Sequence, residues 1–252
     1  MTVTGERLLF SGTCWTATSI IATRRVASIE ELIFERAFSA AQKQAPMLWN
    51  RLALGGVPPG LKKTPCSVFT LAVTSASAGR QWSATEPECF WRSFSELNFT
   101  KGDGADVLHF VRRRGDPFNA LAQRQQTDTT EWVHPALDLA KVAAAWEPQA
   151  GHDGVSRLGE DHERQQEAEE VLRTALLPHA VRDCDVALDP AGPGATVSAR
   201  SLLAYMTLSA ASAFRRAAPM RRCMNCLQWY ELRRTDMRFC SASCRAIANK
   251  GA

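Results

Sequence analysis

The feature that most constrains how this sequence can fold is a group of four cysteines in its last thirty residues. Cys223 and Cys226 form a CxxC pair, Cys240 and Cys244 form a CxxxC pair, and thirteen residues separate the two pairs. Two close pairs joined by a short loop match the tetrahedral four-thiolate arrangement of structural zinc sites. The spacing therefore predicts one structural Zn²⁺ per chain, held by these four side chains.

The spacing within each pair also predicts local structure. The first pair suits a tight turn at the tip of a hairpin, and the second places two thiolates on one face of the first turn of a helix. Trp229 and Tyr230 lie between the pairs, where a small module needs bulk to shield its metal. The predicted layout is a treble-clef-like finger. Because four thiolates leave no open coordination position, the predicted zinc is structural and not catalytic.

The other four cysteines are scattered along the sequence. They do not indicate a metal site, and they bear instead on the cellular compartment of the protein. Cys14, Cys66, Cys89 and Cys184 show no ligand spacing, and we expect them to be small buried side chains. Residues 1–25 contain only short apolar stretches, which are not typical of a signal peptide. No apolar run approaches the ~20 residues that span a bilayer. We therefore expect a cytoplasmic protein with no membrane partner.

The net charge of +4 is distributed unevenly along the chain. Residues 200–252 contain ten basic and two acidic side chains, so this segment carries +8 and residues 1–199 carry −4. Four thiolates around one Zn²⁺ contribute about −2, which leaves the segment clearly basic. A basic segment attached to a mildly acidic body predicts an anionic partner.

Periodicity along the rest of the chain predicts an α+β protein that is mainly α. We expect a helical body with short strands at residues 1–198, with a possible seam near residues 75–80. The pattern of residues 199–219 predicts an amphipathic connecting helix whose apolar stripe packs on the body. Residues 220–252 are predicted to form the zinc finger.

Individual segments carry more specific predictions. Capping-box spacing at Ser28 predicts a helix over residues 29–40, and the β-branched run at residues 67–74 predicts a strand. Asp103 is predicted to cap a helix that ends in Arg112–Arg114 and Gly115. Those arginines suit a helix C-terminus, although nucleic-acid binding would also use them.

Three further segments complete this interpretation of the body. We expect a helix over residues 136–146 and a charged helix over residues 163–177 that Pro178 ends. Residues 183–197 predict two short strands joined by a Pro/Gly turn. Residues 55–60 predict a loop.

The segment CMNCLQWYELRRTDMRFCSASCR resembles the finger of the ABATE/CGNR zinc-finger group. That group pairs a mostly helical N-terminal domain with a C-terminal finger in poorly characterised bacterial proteins. The resemblance covers residues 199–247, with a fainter echo at residues 106–115, and it implies a stress-related transcription regulator. Small gyrase-inhibitor zinc proteins have a similar cysteine layout, which implies a protein partner instead.

Three functional interpretations follow from these observations. In the first, the finger binds nucleic acid, with DNA favoured over RNA, and transcription regulation is one form of that function. In the second, the finger recognises an acidic protein. In the third, the body is an enzyme and the finger a stabilising cap, although the sequence contains no Walker loop, GxGxxG, HExxH or GxSxG motif. The predicted nucleic-acid contacts are Arg233, Arg234, Arg238, Arg245, Trp229 and Tyr230.

Overall fold

A computed structural model describes most of the chain. The described residues are 7–15, 19–28, 65–74, 79–99, 104–147, 154–188 and 195–250. The predicted helix over residues 29–40, the loop over residues 55–60 and the predicted cap at Asp103 lie outside these ranges.

The described chain begins with four strands, and helices and strands are interspersed after them. The strands are β1 (Arg7–Cys14), β2 (Ile20–Ser28), β3 (Pro65–Val73), β4 (Arg80–Ala84), β5 (Gln126–Asp128), β6 (Cys184–Leu188), β7 (Ala195–Ala199), β8 (Met220–Arg222) and β9 (Trp229–Glu231). The helices are α1 (Trp91–Ser95), α2 (Ala105–Arg114), α3 (Ala120–Arg124), α4 (Thr130–Ala143), α5 (His162–Val171), α6 (Leu177–Arg182), α7 (Leu202–Arg215) and α8 (Ala242–Lys250). None of these helices is both long enough and apolar enough to cross a bilayer.

The strands form three sheets. The first has the order β4-β1-β7-β6, in which β1 runs antiparallel to β4 and parallel to β7. The second, β2-β3-β5, is antiparallel, and the third is the β8-β9 hairpin. Pairing of Leu8 with Val197 brings two distant parts of the chain together at the centre of the first sheet.

The prediction of a mainly helical protein is wrong. Among the described residues, helix accounts for 43% and strand for 28%, and these strands form three sheets. Local sequence patterns underestimate the strands because several are short, and because β1 and β7 pair across most of the chain. Hydrophobic periodicity reports local amphipathicity and carries no information about such distant pairing.

Aromatic side chains form the centre of the body's core. Trp91, Trp132, Tyr205, Phe90 and Phe94 are all fully or almost fully buried. The rings are tilted or offset, with centroids 5.3 Å apart for Phe94 and Phe110, a distance at which edge-to-face contact is favourable. Phe90, Trp91, Phe94 and Phe99 lie close together in the sequence and belong to this core, and the half-buried Trp82 packs against it.

Helix α7 belongs to the same core. Leu202, Met206 and Ala210 of the predicted apolar stripe are buried in it, and Leu203 is half-buried. The side chain of Ser201 accepts a hydrogen bond from the Ala204 N–H at 3.2 Å and so caps the helix. The helix therefore carries the chain from the core directly to β8.

The predicted helix end at Pro178 is wrong. Helix α5 passes into a π-helical turn at Leu172–Leu176 and continues as α6, in which Pro178 occupies the first turn. A proline is tolerated in the first turn of a helix because the N–H that it lacks has no intrahelical partner there. The π turn resets the hydrogen-bond register just before the proline, and the chain remains helical to Arg182.

Two leucines on α4 test the position of the core. Leu139 is 0% exposed and Leu137 is 38% exposed, on the same helix. We expect Leu139→Ala to lower the free energy of unfolding by about 2–5 kcal/mol in denaturant titrations, because it leaves a buried cavity. Leu137→Ala is the matched control and should change it by no more than about 0.5 kcal/mol. Equal losses would contradict this orientation of α4.

Candidate metal centre

The first cysteine pair lies on a tight turn between β8 and β9. Cys223 follows β8 directly, and its N–H donates to the Gln228 carbonyl at 2.9 Å. The Leu227 N–H donates back to the Cys223 carbonyl at 2.9 Å, and Leu227 adopts a left-handed conformation with φ 57°. These contacts close the loop and bring Cys226 back towards Cys223, as the CxxC spacing predicts.

The second pair lies at the start of α8. Cys240 precedes the helix, and Cys244 is in its first turn. The Ser241 hydroxyl accepts a hydrogen bond from the Cys244 N–H at 3.1 Å, which fixes the helix start. The Cys240 N–H donates to the Cys223 sulfur at 3.4 Å, so the backbone of the second pair contacts the first pair directly.

The four sulfur atoms form a compact cluster that could hold a metal ion. All four lie within 4.8 Å of one another. The sulfur of Cys240 is 3.6 Å from that of Cys226 and 3.5 Å from that of Cys244. A tetrahedral Zn–S₄ site with bonds of about 2.3 Å requires sulfur separations near ~3.8 Å, whereas a disulfide requires about 2.05 Å. The cluster therefore fits a metal site, and all four cysteines are free of disulfides.

Hydrogen bonds around the sulfur atoms favour ionisation at two of the four positions, Cys223 and Cys244. Burial opposes ionisation of Cys223, but backbone N–H groups of Cys226, Cys240 and Asn225 point at its sulfur and lower its pKa to about 6. Burial raises the pKa of Cys240, and the adjacent thiols raise it further. The second effect arises chiefly from hydrogen bonds to the sulfurs of Cys244, Cys226 and Cys223, which favour the protonated thiol, with a smaller contribution from repulsion between like charges.

A small apolar cluster surrounds the thiols. Tyr230, Leu232 and Val155 are buried there with Cys223 and Cys244, and other half-buried side chains pack against them. The Tyr230 hydroxyl donates to the Met237 carbonyl at 2.7 Å. Tyr230 therefore shields the thiols, which is one of the two roles that the sequence predicted for it.

Trp229 faces the body of the protein and not the solvent. It is only 6% exposed, and its indole N–H donates to both carboxylate oxygens of Glu96, at 2.9 and 3.0 Å. The Arg92 guanidinium stacks on the ring at 3.9 Å from its centroid, and Arg222 lies 5.0 Å away. Cation–π contacts of this kind hold the ring in place. Because Arg92 covers the indole, Trp229 presents no open face on which a base could stack.

Further contacts attach the same hairpin to the body. Arg216, at the end of α7, pairs with Glu231 through both guanidinium nitrogens, and one of these contacts is 2.8 Å. Ser156 and Met220 exchange two backbone hydrogen bonds of 2.8 Å. Arg92 also donates to the Ser156 hydroxyl at 2.8 Å. The thiol module is therefore packed against the core and is not suspended on a tether.

The structure divides the four predicted phosphate-binding arginines into two groups. Arg233 pairs with Glu86 at 2.6 Å, and both side chains are well exposed. Arg234, Arg238 and Arg245 are also exposed, and none of them forms an ion pair with another residue in the described part of the chain. These three cations lie on the loop between the cysteine pairs and on α8.

Sequence reasoning missed the residues that dock the module. Arg92, Glu96 and Glu86 lie at positions 86–96, far from the cysteines, and no local motif marks them. Glu96 and Trp229 are separated by 133 positions in the chain. Trp229, a large aromatic side chain on the finger, was the one sequence feature that could have indicated a contact with the body.

Comparisons with known proteins add no assignment. Neither models of known families, nor curated proteins, nor solved structures gave a match for this chain. The resemblance to the ABATE/CGNR group therefore remains a prediction.

Metal analysis tests the cluster directly. We expect the purified protein to contain about one zinc per chain and Cys240→Ser to lose it, since three thiolates bind zinc far less tightly than four. Cys184→Ser is the control, because Cys184 lies in β6 away from the cluster, and it should keep its metal. Zinc retained by Cys240→Ser, or a disulfide between any two of the four cysteines, would contradict the assignment.

Removal of the metal should unfold only part of the chain. Closed thiolate sites supply folding free energy on the order of 10 kcal/mol in small modules. We expect a chelator to abolish hydrogen-exchange protection at residues 220–250, while α4 and α7 remain protected by the aromatic core. Loss of protection in α4 at the same chelator concentration would show that the body depends on the metal as well.

Substitution of Glu96 tests the docking contact separately from the metal. Glu96→Ala removes the acceptor of the Trp229 indole and the partner of Arg222. We expect faster hydrogen exchange in β8 and β9 and a loss of about 1 kcal/mol in stability, with zinc content unchanged. Glu131→Ala, an exposed substitution on α4, is the control. Unchanged exchange in the hairpin would contradict a docking role for Glu96.

Proposed function

We propose that the C-terminal module binds one structural Zn²⁺ and contacts nucleic acid, DNA before RNA, through its exposed arginines. The observation that carries this proposal is the exposure of Arg234, Arg238 and Arg245 without a carboxylate partner among the described residues. Cations on a fixed scaffold neutralise phosphates without reading base edges, so the proposed binding has little sequence preference. A role in transcription regulation is the form of this function that the ABATE/CGNR resemblance implies.

Zinc is the metal that best suits the donor set. Four thiolates with short sequence spacings and near-tetrahedral sulfur separations are typical of structural zinc sites. The site would have no open position for a substrate, so the module's own residues act as a rigid support for charge. This arrangement supports a binding function over metal-assisted catalysis.

A protein partner is the second candidate function, and one observation favours it. Met224 and Leu227 on the cysteine turn are each 63% exposed, and Ile247 on α8 is 60% exposed. Exposed apolar side chains on a basic segment are suited to an acidic protein with apolar anchors of its own. Double-stranded DNA offers no comparable apolar surface apart from its thymine methyl groups.

The enzyme interpretation gains no specific support from the main apolar groove of the body. This groove has a volume of about 580 Å³ and lies between β1, β7, the end of α5 and α7. Its described lining is chiefly apolar, with arginines at positions 7, 173 and 215 and two other polar side chains, Glu169 and Ser212, and it contains no cysteine or histidine.

Salt dependence tests nucleic-acid binding by the module. Each phosphate neutralised on duplex DNA contributes about −0.9 to the slope of log affinity against log salt. We expect Arg234→Ala with Arg238→Ala to flatten the slope by up to about 1.8 and to weaken binding to all sequences alike. Arg233→Ala should have a smaller effect, because Glu86 already neutralises that charge.

The control removes the same charge elsewhere. Arg124→Ala with Arg182→Ala changes two exposed arginines at the ends of α3 and α6 and should leave the slope unchanged. Absence of DNA and RNA binding at low salt would contradict the proposal. A decrease in pull-down of an acidic protein by Met224→Ser with Leu227→Ser would then support the second candidate.

A further inference from the structure

A second basic surface lies on the body, away from the thiol cluster. A cavity of about 590 Å³ opens where the C-terminal end of α2 meets the ends of β1 and β4. Its lining includes Arg80, the three consecutive arginines Arg112–Arg114, and His109. We call this cavity the basic cleft. No acidic residue belongs to its described lining.

The fold holds the walls of the basic cleft in a fixed arrangement. Arg80 of β4 lies directly opposite Cys14 of β1 in the antiparallel pairing of these strands. The Cys14 thiol donates to the Arg113 carbonyl at 2.9 Å. Burial raises the pKa of Cys14 to about 11, although Arg80 and Arg114 oppose this, so the thiol remains a protonated donor. The Trp82 indole donates to the Arg114 carbonyl at 3.0 Å.

Gly115 allows the helix end to approach the strand so closely. It has φ 94°, and a Cβ atom at this position would lie 2.4 Å from the Thr13 carbonyl oxygen. Only glycine fits both the conformation and the space. The helix terminus and the strand end therefore form one rigid wall from which the arginines project.

The positive charge of the basic cleft exceeds what the local structure requires. A helix C-terminus carries roughly −0.5 of a charge, which one arginine more than balances. Glu88 neutralises Arg114 at 3.1 Å. Within the described residues, neither Arg80 nor Arg113 pairs with a carboxylate. At least two cations in the cleft are therefore left for an external anion.

We propose that the basic cleft binds a phosphate-bearing anion. Arginine guanidiniums donate paired hydrogen bonds that match phosphate oxygens, and a concave positive surface concentrates anions from solution. The cavity volume lies in the range of small-molecule sites, which is roughly 300–1,000 Å³. The ligand is a compound with two or more phosphate groups, or the phosphate backbone of nucleic acid. The inference uses no residue of the thiol module and does not rest on the function proposed for it.

Calorimetric titration of the zinc-loaded full chain with inorganic pyrophosphate is the first arm of the test. We expect saturable binding that Arg80→Ala with Arg113→Ala weakens at least about tenfold, because two charge-assisted contacts are lost. Arg113→Lys keeps the charge but not the paired donors and should weaken binding by a smaller factor. The control is again Arg124→Ala with Arg182→Ala, which should bind pyrophosphate as the unaltered protein does. Unchanged thermal unfolding verifies that each variant is folded.

Duplex DNA is the second arm and distinguishes the two sources of phosphate. If pyrophosphate binding is lost only in the cleft variant while the cleft and control variants bind DNA equally, the ligand is a free phosphorylated compound. If the cleft variant loses pyrophosphate binding and also weakens DNA binding relative to the control, the cleft takes the phosphates of nucleic acid. If pyrophosphate does not bind but the cleft variant alone weakens DNA binding relative to the control, the phosphates are those of nucleic acid. If the cleft variant and the Arg124→Ala with Arg182→Ala control bind pyrophosphate equally and also bind DNA equally, the proposal is overturned. Arg234→Ala with Arg238→Ala should leave pyrophosphate binding unchanged, so failure of the function proposed for the module is distinguishable from failure here.

Discussion

Four sulfur atoms crowded within 4.8 Å of one another cannot all be ionised unless a cation neutralises them. This electrostatic constraint governs the last thirty residues, because their apolar cluster is small and includes two of the cysteines themselves. Backbone N–H groups directed at Cys223 lower its pKa and so favour its ionisation. Neutralisation of the remaining thiolates by a metal would then fix the turn and the helix relative to each other.

The position of the module on the body depends on a second set of contacts. Trp229 lies between the Arg92 guanidinium and the Glu96 carboxylate, so its indole is packed and hydrogen-bonded at the same time. A metal held by the four thiols would shape the module, whereas these contacts orient it. Any surface that the module presents, whether arginine or exposed leucine, therefore keeps a defined direction with respect to the body.

The sequence predicted those features that depend on near neighbours. The cysteine spacing predicted the turn, the hairpin and the helix start, and the 3.6-residue periodicity predicted the buried face of α7. It could not predict contacts between distant residues, such as Trp229 with Glu96 or Leu8 with Val197. Pro178 gave a wrong prediction of a helix end because the π-helical turn that precedes it has no strong sequence signature. The sequence likewise does not show that Arg80 and Arg113 lie close together. They meet only because β4 pairs with β1 and the end of α2 packs against β1.

The parallel pairing of β1 with β7 has a consequence for biosynthesis. Strand β1 can pair with β4 early, but its other edge has no partner until residues 195–199 leave the ribosome. Synthesis from residue 84 to residue 195 takes several seconds at roughly 5–20 residues per second. During that interval Leu8 and Phe10, both buried in the finished protein, belong to an incomplete sheet with an open edge. The nascent chain is then most exposed to mispairing and to capture by chaperones, and the arrival of β7 ends this period.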